Sequence, residues 1–179
     1  TIITVILALP LEKAASHLVF HPALVGGLLL VTGALLFSSE YMSKHKANLS
    51  QKVTLKQSLL IGLAQGIAVV PGLSRSGLTI ATGMFAGLDR QTAARYSFLL
   101  SIPIILGASM VYPLIKIDVA EAMTYNWIAI IAGTVVSCVV GYLCIKYFMK
   151  FISKFSLNIF GYYCVIMGLF TLIFFNICK

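Results

Sequence analysis

Apolar residues run along this chain in long blocks separated by short charged stretches, and the block lengths predict the elements. A helix needs about 20 apolar residues to cross a bilayer. Residues 23–42, 96–115, 126–145 and 156–175 have that length and are expected to be transmembrane helices. Between the first two lies a different object: residues 57–70 (QSLLIGLAQGIAVV), the polar run PGLSRSG, and residues 78–88 (LTIATGMFAGL). Each half is too short to span. Residues 1–11 are apolar but also too short, and they lack the basic region and small-residue cleavage site of a signal peptide. With Thr1 in first place, residues 1–22 read as the end of a truncated helix plus the interfacial segment EKAASHLVFHP.

Positive charge decides how the central stretch, residues 57–88, is threaded. Lys44, Lys46, Lys52 and Lys56 precede it, and Arg90 and Arg95 follow it, with Asp89 counting for little. Basic loops stay in the cytoplasm, so both flanks belong on that side. The next loop, with Lys116, Asp118 and Glu121, suits the outside, and the one after it, with Lys146, Lys150 and Lys154, suits the inside. Every flank obeys the rule if residues 57–88 enter and return as a re-entrant helix pair. A single crossing would place a lysine-rich loop outside. Lys179 then lies outside. Tyr41, Tyr96, Tyr125, Trp127 and Tyr147 fall near helix ends, where interfacial aromatics belong.

Composition closes off other classes. Of 179 residues, 60% are hydrophobic and 10% charged, and mean hydropathy is +1.00. So much apolar surface cannot be hidden in a small soluble particle. The net charge of +8 comes without a basic stripe of interleaved aromatics, so it marks topology and no nucleic-acid partner. Cys138, Cys144, Cys164 and Cys178 have no CxxC spacing and read as small buried apolar side chains. His17 and His21 are four apart, but only Glu12 is near enough in sequence to complete a metal site; interfacial histidines are the commoner case. Glu40 reads as a snorkelling or loop-facing acid at the end of its span.

Chemistry concentrates in the break. Backbone that is not helical at membrane depth must be buried in protein or line a wet cavity. Pro71 and Gly72 stop the first half-helix, Ser74 or Ser76 can cap the second, and Gly77 allows close approach. The second half-helix then presents free N–H groups and its positive dipole end, a ready anion site. Arg75 adds a planar fork of donors matched to phosphate. Holding it at depth costs roughly 2.5 to 3.5 kcal/mol, which argues for a ligand; the competing role is a structural ion pair with an acid from elsewhere. Ser74, Ser76 and Thr79 supply hydroxyls. Gln65, ten residues before Arg75, either reaches the site or packs between helices.

The run GLAQGIAVVPGLSRSGLTIATGMFAGLDRQTAARYSFLLSIPIILGA resembles the second signature region of the bacterial undecaprenyl-diphosphatase family, the bacitracin-resistance type of membrane phosphatase. The similarity extends through the chain and matches the later two-thirds of a family member. The resemblance implies an all-α integral membrane protein, a polytopic helical bundle whose re-entrant helix pair is part of an inverted-repeat fold. It implies hydrolysis of undecaprenyl diphosphate to undecaprenyl phosphate and phosphate in the bacterial inner membrane, for carrier-lipid recycling in cell-wall synthesis. The partners it implies are a polyprenyl diphosphate lipid and the bilayer, with a homodimer admissible. Carried over by motif, Arg75 and Ser74 are catalytic, while Ser76, Gly77, Thr79 and Gln65 bind substrate phosphate.

By the resemblance, the family's two glutamates four apart belong to an N-terminal repeat that this chain is expected to lack, and the corresponding helix here offers Gln65 and Val69. No metal ligand is therefore expected in this chain, and Mg²⁺ or Ca²⁺, if used, would take ligands from a missing N-terminal repeat. The chain is expected to hold the phosphate-binding half of a site and not to hydrolyse alone. A phosphatidic-acid-type phosphatase would need a histidine nucleophile in the re-entrant region, where none occurs. A transporter or lipid exporter with a broken-helix anion site is the alternative.

Overall fold

The computed structural model describes residues 1–18, 21–46, 48–116 and 125–177. Among these residues the regular elements are helices: α1 (Ile2–Leu18), α2 (Pro22–His45), α3 (Leu55–Ile67), α4 (Arg75–Phe85), α5 (Arg90–Lys116), α6 (Trp127–Lys154) and α7 (Asn158–Ile177). Four of them, α2, α5, α6 and α7, are long and apolar enough to cross a bilayer. The molecule is an all-α, multi-pass membrane protein. Asp118, Glu121 and Cys178 lie outside the described residues, as do the side chains of Glu12, Lys13, His17 and Lys116. α1 continues through Pro10 to Leu18, so EKAASHL is helical.

α3 has 13 residues and α4 has 11, which at 1.5 Å per residue gives about 20 and 16 Å, short of a ~30 Å hydrocarbon core. They lie against each other through Ile61, Ile80 and Met84, and their outer ends are tied together. The Gln57 amide donates to the Ala86 carbonyl at 2.9 Å, and Lys46 Nζ donates to the Phe85 carbonyl at 2.8 Å. Ser50 N–H donates to Gly87 O at 2.8 Å, and Asp89 N–H donates to Ser50 O at 3.1 Å. The chain therefore enters and leaves the pair at one end, as a helical hairpin.

Local chemistry defines that end. Thr54 and Gln57 form a capping box at the start of α3. Gly87, at φ +92°, ends α4, with Leu88 N–H bonded back to Gly83 O and Gly87 N–H to Met84 O. Asp89 caps α5: its carboxylate accepts Thr92 N–H and Thr92 Oγ–H, both at 2.8 Å. Tyr96, expected at the interface, is half-buried and hydrogen-bonded to Ser58, joining α5 to α3.

Glu40 departs furthest from its expected role. It is 1% exposed and pairs with Arg90 at 2.7 Å, while its other oxygen accepts Leu157 N–H at 2.8 Å. Arg90 also donates to Phe155 O at 3.0 Å and Ile152 O at 3.4 Å. One ion pair thus joins the end of α2, the start of α5 and the α6–α7 corner. These added hydrogen bonds offset part of its desolvation and satisfy helix-terminal groups that have no partner within their own helices, while Arg90 Nε stays buried without a partner among the described residues.

α2 and α7 approach through small residues. A Cβ on Gly26 would lie 3.0 Å from Gly168 O, and one on Gly168 would lie 2.8 Å from Gly26 O. In contrast, α6 exposes nearly its whole length, including Ile128, Val135 and Tyr142, as a helix facing lipid does. Of the cysteines, Cys164 is buried, whereas Cys138 and Cys144 are exposed along α6.

Two outcomes follow from this arrangement. Cysteines placed singly at Lys56 and Gln91, in a cysteine-free background, should both react with an impermeant thiol reagent from the cytoplasmic side; opposite-side labelling would refute the hairpin. Glu40→Gln should lower stability by about 3 kcal/mol, the cost of leaving Arg90 without its counter-charge, and Glu40→Gln combined with Arg90→Gln should recover part of that loss in thermal unfolding in detergent.

Candidate active site

The hairpin's inner end is the PGLSRSG break. After α3, Ala68 N–H bonds to Ala64 O, Val70 N–H to Ile67 O, and Leu73 N–H to Val70 O, so tight turns carry the chain to Ser74. Gly72 has φ +96°, and a Cβ there would sit 2.6 Å from Val25 O. Both the left-handed backbone and the contact with α2 require glycine. Ser74 is the N-cap of α4, its hydroxyl oxygen accepting Gly77 N–H at 3.2 Å. Of the first N–H groups of α4, those of Arg75 and Ser76 donate to nothing among the described residues.

Depth can be read along α2. Thr32, which touches Ser74, lies ten residues from Pro22 and thirteen from His45, or about 15 and 20 Å along the axis. The break therefore lies near the middle of a spanning helix.

A cavity of about 490 Å³ opens at this point. Ser74, Ser76 and Gly77 form its polar end, and its walls are apolar, with Phe98, Phe148 and Phe160 among the lining residues. Phe148 stands 5.4 Å from Phe98 edge-on and 5.4 Å from Phe160, ring centre to ring centre. The shape suits a ligand with an anionic head and a hydrocarbon body.

The expected site residues separate into two groups. Ser74, Ser76 and Gly77 line the cavity. Arg75 lies between the two serines at the first turn of α4, half-buried, with no ion pair among the described residues. Thr79 is elsewhere: fully buried, with its hydroxyl 2.8 Å from Arg75 O, 3.2 Å from Ser76 O and 2.6 Å from Ser97 Oγ, it joins α4 to α5. Gln65, 2% exposed, is also off the cavity wall, and its amide nitrogen has no partner among the described residues. Thr32 escaped the sequence reading; a threonine inside an apolar block carries no signal of which neighbour its hydroxyl meets.

Hydroxyls and amide N–H groups form the polar end of the cavity, and Arg75, whose side chain is not among the lining residues, is rooted between the two serines. No carboxylate or imidazole lines the cavity among the described residues, and no cluster of metal-ligating side chains occurs among them, so these residues do not fit a divalent cation.

The chain matches the model of a protein family, described as bacitracin resistance protein BacA, over residues 1–170. It is 45% identical over 174 residues to an undecaprenyl-diphosphatase of Methanosphaera stadtmanae, covering 97% of this chain and 61% of that protein. It is 40% identical over 175 residues to one of Halothermothrix orenii, covering 95% of this chain and 65% of that protein. A third, from Methanothermobacter thermautotrophicus, is 46% identical over 150 residues, covering 83% of this chain and 81% of that protein. The chain thus spans less than two-thirds of the length of the first two relatives.

The two cavity serines should behave differently. Ser74→Ala removes the cap and should cost about 1 kcal/mol in thermal unfolding. Ser76→Ala removes a hydroxyl without a partner among the described residues and should leave stability unchanged.

Proposed function

Because the chain belongs to the BacA bacitracin-resistance family, we propose that it forms the phosphate-binding wall of a lipid diphosphatase that converts undecaprenyl diphosphate to undecaprenyl phosphate and inorganic phosphate. The observation that carries this reading is the cavity itself, with one polar end at a helix N-terminus and apolar walls. The names of the relatives support the substrate. The site of action is the plasma membrane, and the product would re-enter cell-wall synthesis as the lipid carrier.

In this reaction water adds to the terminal phosphorus and the bond from that phosphorus to the bridging oxygen breaks. Negative charge shifts onto the phosphoryl and leaving oxygens. The N–H groups of Arg75 and Ser76, the dipole of α4 and the Arg75 guanidinium oppose that charge without reorganising. Ser74 keeps its O–H hydrogen free to donate, since its cap uses only the oxygen as acceptor. The apolar walls hold the first isoprene units, so that the tail remains in a lipid-like environment while the head sits on α4. Any Mg²⁺ or Ca²⁺ would draw its ligands, and the water its base, from outside the described residues. By itself this wall binds phosphate and does not cleave it.

Phosphate release from undecaprenyl diphosphate by the full-length protein in detergent tests the reading, since a protein that only moves lipid releases none. Arg75→Lys keeps the charge and loses the planar fork, and should reduce kcat/KM by about a hundredfold. Near-normal turnover would show that Arg75 does not act as a bidentate phosphate clamp.

A further inference from the structure

The break rests on α2, and a single side chain makes that contact polar. Thr32 is fully buried on α2. Its hydroxyl donates to Leu28 O at 3.1 Å and accepts the Ser74 N–H at 3.3 Å. Its methyl group would lie 3.0 Å from a Cβ built on Gly77. Two residues before Ser74, Gly72 touches the backbone of Val25. On its other side α2 cannot retreat. A Cβ on Gly33 would stand 2.9 Å from Val165 Cγ2 and 3.1 Å from Gly161 O. The turn is thus pressed against a helix that is itself pressed against α7.

The N–H that Thr32 holds belongs to the peptide between Leu73 and Ser74. Fixing that peptide plane fixes the direction in which α4 starts. It therefore also fixes where the unpartnered N–H groups of Arg75 and Ser76 point, and where the Arg75 side chain is rooted. Both hydrogen-bonding roles of the hydroxyl are filled, which leaves it no rotational freedom. Valine has nearly the same shape but no acceptor, so the hydroxyl can be tested separately from the packing.

We propose that Thr32 is a positioning residue for the phosphate-binding turn: it touches no substrate, and it aims α4 by holding the Ser74 amide. This deepens the diphosphatase reading and rests on it. Donors misdirected by a fraction of an ångström weaken transition-state stabilisation more than ground-state binding.

The test uses the full-length protein in detergent with undecaprenyl diphosphate. Thr32→Val should lower kcat by about tenfold or more while KM stays within about threefold, and Thr32→Ala, which removes the hydroxyl without a branched replacement, should repeat the loss. Thr32→Ser should retain nearly wild-type kcat. Wild-type kcat in Thr32→Val, or equal damage in Thr32→Ser, would overturn the proposal. A second arm does not need turnover: amide hydrogen exchange across residues 72–77 should accelerate in Thr32→Val and remain unchanged in Thr32→Ser. If the wild type releases no phosphate while exchange follows the hydroxyl, the diphosphatase reading fails and the hold of Thr32 on the turn stands. Exchange indifferent to the hydroxyl overturns the proposal whatever the enzyme does.

Discussion

The buried pair of Glu40 and Arg90 is the constraint on which the architecture depends. It stands where four helices end, and each partner does more than neutralise the other. Glu40 satisfies an N–H at the α6–α7 corner, and Arg90 satisfies carbonyls at the end of α6. A hydrophobic replacement could fill the volume but would leave those backbone groups unpaired in a region with little water. Because Arg90 begins α5 immediately after the hairpin, the pair also anchors the hairpin's outer end to α2. Everything deeper is measured from that anchor.

From the anchor inward, the site is built mainly from backbone. The break supplies amides because Pro71 and Gly72 stop α3 and Ser74 restarts the helix, and it stays in place because Gly72 lies against Val25 and Thr32 holds Ser74. The one charged residue in the break is Arg75, half-buried and without an acidic partner among the described residues. In the proposed reaction such a centre attracts an anion without committing its donors beforehand, a preorganised arrangement suited to phosphoryl chemistry. The aromatic wall adds no charge, and its low polarity strengthens the effect of each donor at the polar end of the cavity.

The features legible in the sequence were those that violate a rule of the bilayer. A polar, proline-containing run between two short apolar halves has few viable arrangements at membrane depth, and Arg75 is too costly there to be incidental. Its neighbour Ser74 follows from helix capping, whereas Ser76 caps nothing and lines the cavity. The rest depended on long-range contacts that no local pattern encodes. Glu40 looked like a surface acid because its partner lies fifty residues away. Tyr96 had the position of an interfacial aromatic, yet its hydroxyl is used by Ser58. Thr79 had the right residue type one turn from the right place, but helix geometry turns its hydroxyl toward the preceding carbonyls and Ser97. Thr32 was invisible for the same reason in reverse: its importance comes from a neighbour forty-two residues away.

α2 contacts the outer anchor through Glu40 and the inner turn through Thr32, eight residues apart on one continuous helix. That segment is a rigid spacer of about 12 Å. The distance from the Glu40–Arg90 anchor to the break is therefore set by covalent helix rather than by the surrounding lipid. A thinner or thicker membrane can tilt the bundle or redistribute its boundary aromatics, but the break keeps its distance from the anchor. The geometry of the break is thereby insulated from local changes in bilayer thickness.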